Sequence, residues 1–235
     1  MVRKRRVNAA GQPIEILENI AFRLGPGEVG ALIGPSGCGK STLMRIVAGL
    51  DSDFEGAVER PEGRLGFVFQ EPRLLPWRSV EDNIRLAAPH IGEDTLAALL
   101  STLGLAEHRA HFPGELSLGL ARRVALARAF AAEPSLLLLD EPFVSLDAPL
   151  ARALERELAQ LIAARSVTTL IVTHDLGEAI RLADRVVVLS PRPARVLGEI
   201  QLPSPRAARS AAEVRSVERR VQVLQTGGRP LPPLR

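Results

Sequence analysis

Gly34-Pro35-Ser36-Gly37-Cys38-Gly39-Lys40-Ser41 fits the pattern G-x-x-x-x-G-K-[ST], and its flanks decide the fold. Gly30-Ala31-Leu32-Ile33 before it reads as a short buried strand, and Thr42-Leu43-Met44-Arg45-Ile46-Val47-Ala48-Gly49-Leu50 after it reads as the opening turns of a helix. Strand, glycine loop and helix in that order make an anion nest. Glycines admit positive φ and keep Cβ atoms out of the way, so successive N–H groups converge above a helix N-terminus. A nucleoside triphosphate is the expected ligand, with Lys40 reaching the β- and γ-phosphates and the Ser41 hydroxyl on Mg²⁺.

The rest of the chain suits one large α/β domain. It has 235 residues, of which 46% are apolar and 24% charged, so it can bury a sizeable core and disorder is not indicated. Aromatics are 3%, with one Trp and no Tyr, which argues against stacking surfaces for single-stranded nucleic acid. No apolar run reaches the length of a membrane span and no apolar segment follows the charged N-terminus, so a cytosolic location is expected. Cys38 is the single cysteine and reads as a small spacer in the loop. The net charge of +3 conceals segregation: Arg3-Lys4-Arg5-Arg6 is a basic run, and residues 206–235 hold seven Arg against two Glu. Two solvated basic tails on an acidic body are the expectation.

Residues 14–24 read as a strand ending at the turn Gly25-Pro26-Gly27-Glu28, and Gly63 to Gln70 as another whose C-terminal end carries Gln70. From Glu71 to about Ala132 prolines at 72, 76 and 89 give way to helical spacing over 95–104 and 119–132, which suggests a helical insertion. Leu136-Leu137-Leu138-Leu139 is a buried strand that stops at Asp140-Glu141. Pro149–Arg165 follows as an amphipathic helix, then a strand from Val167 with His174 just past its end. Helix 176–183, strand 185–189 and an edge strand 196–202 complete the alternation expected of a mostly parallel sheet. Val214, Val217, Val221 and Leu224 predict a last helix, and the Gly227-Gly228-Arg229-Pro230 stretch a loose tail.

Adjacent buried carboxylates are costly unless a metal or hydrogen bonds compensate. In P-loop enzymes the first holds Mg²⁺, which leaves Glu141 to orient or deprotonate a water. Gln70 and His174 end neighbouring strands and would face the γ-phosphate side.

Leu116-Ser117-Leu118-Gly119-Leu120, continuing through Arg122-Arg123-Val124-Ala125 to Asp140-Glu141-Pro142, resembles the signature region of ATP-binding cassette (ABC) ATPases. Ser145-Leu146-Asp147 resembles their D-loop and Val172-Thr173-His174-Asp175 their switch histidine; six ordered motifs cover about Ile14 to Leu202. The run from Val68 to Arg78 and Asp140-Glu141-Pro142-Phe143 are similar to importer cassettes for nitrate, sulfonate and taurine.

The resemblance implies a P-loop NTPase (RecA-like) fold with a mostly parallel core, an antiparallel β portion at the N-terminus and an inserted helical subdomain. Its parts would be a nucleotide-binding core over about 12–70 and 133–202, the helical subdomain over 71–132, and a C-terminal helix and tail over 203–235. ATP and Mg²⁺ are the implied cofactors. Gly34, Pro35, Ser36, Gly37, Cys38, Gly39, Lys40, Ser41, Thr42, Ser117, Gly119 and Asp147 would hold nucleotide; Ser41, Gln70 and Asp140 the metal; Glu141, His174 and Gln70 the chemistry. Implied partners are a second copy in a head-to-tail dimer, a membrane permease and, indirectly, an extracytoplasmic binding protein, with no nucleic acid. The location implied is the cytoplasmic face of the inner membrane, peripheral, through the permease. Ser117 and the Gly119 amide stand where a helix should begin, a good place for a γ-phosphate supplied by the other copy.

Two departures stand out. Leu118 replaces the usual first glycine of the signature and Leu120 its last residue, which puts bulk where backbone approaches nucleotide. That points to a slower motor, or to an ATP-dependent dimer clamp with negligible turnover. The family also stacks adenine on an upstream aromatic, near Gly11 in this chain, yet no aromatic precedes Phe22. The expected consequence is weak base discrimination: in a competition binding assay GTP should displace ATP more effectively than from relatives that have the aromatic, and a strong preference for ATP would contradict it.

Overall fold

The computed structural model describes residues 1–7 and 11–227. In chain order its strands are β1 (Val2–Val7), β2 (Pro13–Ile20), β3 (Val29–Ile33), β4 (Glu55–Gly56), β5 (Leu65–Val68), β6 (Leu136–Asp140), β7 (Thr168–Val172), β8 (Arg185–Leu189) and β9 (Val196–Gln201). The helices are α1 (Lys40–Val47), α2 (Val80–Arg85), α3 (Glu93–Thr102), α4 (Leu118–Ala131), α5 (Ala148–Arg165), α6 (Leu176–Leu182) and α7 (Ala211–Thr226). They fall into two compact units, one of Met1–Arg60 with the chain from Thr168 onward, the other of Pro61–Val167.

In the first unit β3 is buried along its whole length and lies parallel to β7 on one side and β8 on the other. A strand covered on both faces has no need of a polar alternation, which is why Val29-Gly30-Ala31-Leu32-Ile33 is apolar throughout. β9 adds to β8 in the antiparallel sense. A separate antiparallel sheet has the order β2-β1-β4. β2 stops at Ile20, four residues short of the sequence expectation, after Asn19 turns to φ 53° and breaks the pleat.

The N-terminal basic run is not a solvated tail. It is strand β1: Arg3 pairs with Glu15, and the Lys4 ammonium, 3% exposed, donates to Asp51 Oδ1 at 2.8 Å and Asp53 Oδ2 at 3.0 Å. The charges of Arg3 and Lys4 are therefore paired inside the unit, while Arg5 and Arg6 remain exposed. The C-terminal run is also partly internal, because Arg206 pairs with Asp184 at 2.5 Å and Arg209 donates to the Ile180 carbonyl. The helix expected there is α7, capped by Ser210 Oγ accepting from Glu213 N at 3.2 Å, with Val217 and Val221 buried. Leu224 packs over Gly198 of β9, where a Cβ would lie 2.8 Å from its Cδ2. The tail from Gly228 and the stretch 8–10, beside the place where an adenine platform would sit, lie outside the described residues.

In the second unit β5 and β6 run parallel, Leu65 to Val68 opposite Leu136 to Leu139. α4 is its organising helix, packed against α2, α3, α5 and β5. α2 has no counterpart in the sequence expectations. At six residues it is too short for periodicity to reveal, yet it carries a capping box in which Asp82 N donates to Ser79 Oγ at 3.1 Å and Ser79 N to Asp82 Oδ2 at 3.4 Å. Asn83, fully buried, then pins the preceding turn: its Oδ1 accepts from Leu75 N at 2.8 Å and its Nδ2 lies 2.9 to 3.2 Å from the carbonyls of Leu75, Arg78 and Ser79.

Glu81 of α2 accepts from Arg85 Nε at 2.6 Å and from Arg109 Nη2 at 2.9 Å, and Glu93 of α3 closes the cluster on the same two arginines. The Arg109 guanidinium and, after it, Arg85 hold the Glu81 carboxyl down from 4.5 to about 2. A depressed folded-state pKa stabilises above the unfolded value and is lost as pH falls through the folded one. This contribution should be complete above about pH 4.5 and fade toward pH 2. Urea unfolding of Glu81→Gln should show a stability deficit near neutral pH that shrinks below about pH 4; a deficit independent of pH would contradict the assignment.

Candidate phosphate and carboxylate site

Within the first unit, β3 delivers the chain into Gly34–Ser41, and α1 starts at Lys40. Gly37 (φ 73°) and Gly39 (φ 127°) hold backbone angles that L side chains rarely adopt, so these two positions need glycine. Gly39 also sits tight against β2, where a Cβ would fall 2.8 Å from Leu17 Cδ2. Pro35, Ser36 and Gly37 are exposed and Cys38 is buried. The Lys40 ammonium, 5% exposed, donates to the carbonyls of Gly34 at 2.8 Å and Pro35 at 3.0 Å. The lysine thus folds back over its own loop, its ammonium held by two backbone carbonyls. The exposed Ser41 and half-buried Thr42 follow in the first turn of α1.

His174 belongs to the same unit. β7 ends at Val172, and Thr173 Oγ1 donates to Glu178 Oε2 at 2.9 Å while accepting from Asp175 N at 3.0 Å. Asp175 caps α6 by accepting from Glu178 N at 3.0 Å. These bonds hold the exposed His174 at the strand end. It lines an open cleft of about 480 Å³ together with Gly34, Pro35 and Ser36, whose walls include Leu189, Leu197 and Val221. The structure therefore brings the histidine to the phosphate loop. Arg192, in the turn between β8 and β9, reaches the same loop and donates to the Gly37 carbonyl at 2.6 Å.

The second unit carries the carboxylates and the signature. Gln70 is exposed two residues beyond β5, and Asp140, 7% exposed, is the last residue of β6. Because β5 and β6 are parallel and in register, both leave the same edge of the pair. Glu141 follows in the left-handed region, φ 48°, and Ser145 does so again at φ 65°. Non-glycine residues in that region cost energy and cluster where function demands a fixed geometry.

Ser117 is the N-cap of α4, its Oγ accepting from Leu120 N at 3.3 Å. Gly119 is buried in the first turn, where a Cβ would fall 2.6 Å from Leu150 Cδ2. Asp147 caps α5 through Leu150 N at 2.9 Å. Ser117 and Asp147 thus cap helices, Gly119 sits in a first helical turn, and Gln70, Asp140, Glu141 and His174 lie at or within two residues of strand ends. Among the described residues no cluster of three or more His, Cys, Asp or Glu is placed to hold a metal.

Two arginines of α4 carry no functional signal in the sequence. The Arg122 guanidinium, on a residue 4% exposed, donates to Pro142 O at 2.9 Å and Val144 O at 2.6 Å, and Arg128 donates to Pro72 and Arg73 carbonyls at 2.8 Å each. One therefore grips the segment after Glu141, the other the segment after Gln70. Nothing in the sequence separates them from Arg123, the third arginine of the same helix, which donates to the Leu103 carbonyl and pairs with Glu157.

Comparison with known proteins bears on these two half-sites. A family model described as ABC transporter matches residues 17–144. The aliphatic sulfonates import ATP-binding protein SsuB 2 of Burkholderia cenocepacia (strain HI2424) is 46% identical over 196 residues, 80% of this chain and 73% of that one. Its namesake in Pseudomonas syringae pv. tomato (strain ATCC BAA-871 / DC3000) is 47% identical over 187 residues, 79% and 80% respectively. Among solved structures, a dimeric post-hydrolysis state of the ATP-binding cassette MJ0796 bound to ADP and Pi superposes with TM-score 0.72 at 28% identity, over 87% of this chain and 100% of that one. An ATP-binding subunit of an ABC transporter gives the same TM-score at 27% identity, over 92% and 98%. With its glycine loop, strand-end carboxylates and capped signature helix in the expected order, and with relatives of this identity over most of its length, the chain belongs to the ABC transporter family and has the P-loop NTPase fold that its sequence implied.

Proposed function

We propose that the chain is the ATP-hydrolysing subunit of an importer for small anions of the sulfonate, nitrate or taurine kind, acting as a homodimer beneath a separate permease. The observation that carries hydrolysis, as distinct from binding, is Glu141 directly after the strand-ending Asp140. The relatives' names support the sulfonate class, and the dimeric cassettes among the structural neighbours support the dimer.

The nucleotide would lie on Gly34–Ser41 and Thr42, its phosphates on the loop amides. Lys40 then exchanges the Gly34 and Pro35 carbonyls for β- and γ-phosphate oxygens, a substitution of acceptors that needs little movement of a side chain already buried there. The donor set of Ser41 hydroxyl, Gln70 and the Asp140 carboxylate suits Mg²⁺, which takes few protein ligands and completes its shell with phosphate and water; bound there it would neutralise charge on the phosphates. Glu141 accepts the proton of the attacking water as the new bond to the γ-phosphorus forms and the bond to the β-phosphate oxygen breaks, releasing ADP. His174, beside the loop in the shared cleft, steadies the γ-phosphate. Ser117, Gly119 and Asp147 would serve the nucleotide held by the second copy, since Ser117 and Gly119 open a helix toward an incoming anion.

Residues 12–70 and 133–202 form the nucleotide-binding core in this reading. The helical part over 71–132 receives the permease, and 203–235 is a C-terminal appendage. No described helix is long and apolar enough to cross a membrane, so attachment to the cytoplasmic face would come through the permease, with an extracytoplasmic binding protein selecting the cargo. A clamp without turnover draws support only from Leu118, which leaves the Ser117 cap and the fit of Gly119 intact.

Glu141→Gln tests the motor. Phosphate release by the purified chain should fall at least about a hundredfold, the range for loss of a general base, while ATP-dependent dimer accumulates in light scattering. Unchanged phosphate release would show that Glu141 is not the general base.

A further inference from the structure

Arg122 lies about one and a half turns after the Ser117 cap and its guanidinium stops against a single stretch of backbone. Besides its bonds to the Pro142 and Val144 carbonyls, Nη1 lies 3.5 Å from the Glu141 carbonyl, and Nε has no acceptor. Every acceptor is a neutral carbonyl. Desolvation accordingly pushes the guanidinium below its ordinary pKa with no carboxylate acting against it. A buried charge compensated only by dipoles is costly, and a neutral side chain of similar volume would fill the same space with less penalty.

The stretch it grips explains why the charge is kept. Between β6 and α5 the chain makes a turn with two non-glycine residues at positive φ, Glu141 and Ser145. The turn's own bonds are long: Val144 N to Glu141 O at 3.4 Å and Leu146 N to Phe143 O at 3.3 Å. A strained turn with weak internal bonds keeps its shape only if something outside it fixes the carbonyls. The planar guanidinium fork, which holds two acceptors at once, does this in a way an ammonium cannot.

We propose that Arg122 is the positioning residue for the general base, fixing the 141–144 backbone so that the Glu141 carboxylate is aimed at the attacking water. This rests on the reading of Glu141 as that base. Arg122 does not touch substrate. Its loss should therefore slow the chemical step while leaving nucleotide affinity alone, because displacement of a catalytic group by about an ångström costs turnover steeply.

The test uses the full chain with Arg122→Gln, Arg122→Lys and Arg122→Met, and with Glu141→Gln as reference. Steady-state ATP hydrolysis should show kcat of the Gln and Met variants reduced about tenfold or more, with KM for ATP within about twofold of the parent. The Lys variant should recover part of the loss, since an ammonium restores one donor without the fork. Amide hydrogen exchange should speed up across residues 141–147 and stay unchanged in the Gly34–Ser41 loop. Parental kcat in Arg122→Gln overturns the proposal, as does a parallel loss of kcat and ATP affinity with exchange accelerated in both units. Should the Gln and Met variants fail to fold, the Lys variant decides by the same split: reduced kcat at unchanged KM supports the role and parental kcat overturns it. Full turnover in Glu141→Gln would instead remove the base itself, whereas loss there with parental Arg122→Gln removes only the positioning role.

Discussion

An anion nest of eight residues works only if the strand feeding it cannot shift, and the first unit is arranged around that constraint. β3 is hydrogen-bonded on both sides, to β7 and β8, and no residue along it is exposed to solvent. Val29 N donates to Asp184 Oδ2 at 2.9 Å, and the same carboxylate receives Arg206, so the strand's entry is tied to the segment leading into α7. At its exit, Gly39 abuts Leu17 of β2, and Gly34 packs tightly on Leu189 of β8, where a Cβ would lie 3.0 Å from the leucine Cβ. The loop is thus braced by both sheets of its unit, and the glycines allow that closeness as well as the turn. Lys40 then adds an electrostatic clasp, donating to two loop carbonyls, those of Gly34 and Pro35.

The second unit solves a related problem with arginines. A turn that ends a buried strand in two carboxylates has to leave the sheet abruptly, and Glu141 does so at φ 48°. Hydrogen bonds to backbone carbonyls from a buried guanidinium are strong in a low dielectric but do not cancel the charge. The arrangement therefore exchanges stability for a defined shape, and α4 bears that cost twice, through Arg122 toward residues 141–144 and through Arg128 toward Pro72 and Arg73. Since Ser117 caps α4, the residue proposed to meet a partner's phosphate and the residue gripping the backbone after Asp140 lie on the same helix, about one and a half turns apart.

What could be read from the sequence was local chemistry. The glycine loop, the tetra-leucine strand ending in Asp140-Glu141 and the helix over Val214 to Leu224 announce themselves through spacing alone, and each appears where expected. The basic N-terminal run could not be read this way. Arg3 and Lys4 find their partners at Glu15, Asp51 and Asp53, and a period-two strand is hidden when the residues facing inward are charged. α2 fell below the length at which periodicity speaks, although the Ser79-to-Asp82 cap was there to be noticed. Arg122 and Arg192 were illegible for another reason: nothing in a sequence distinguishes an arginine that grips backbone 19 or 155 residues away from one that solvates a surface.

The altered signature shows how fold and function separate at one helix end. Of its two glycine positions, the one this chain retains, Gly119, is the one packed against its own α5, where a Cβ would lie 2.6 Å from Leu150 Cδ2 and that side chain would have to shift. The one it lost is Leu118, which stands 44% exposed at the first position of α4. The Ser117 cap forms regardless. Leucine at 118 therefore costs the monomer almost nothing, and any penalty it carries must be felt by whatever approaches the helix from outside. In the dimeric reading that is the γ-phosphate and loop of the second copy, so the substitution acts on the closing of the pair while leaving each cassette's own loop, base and histidine as they are.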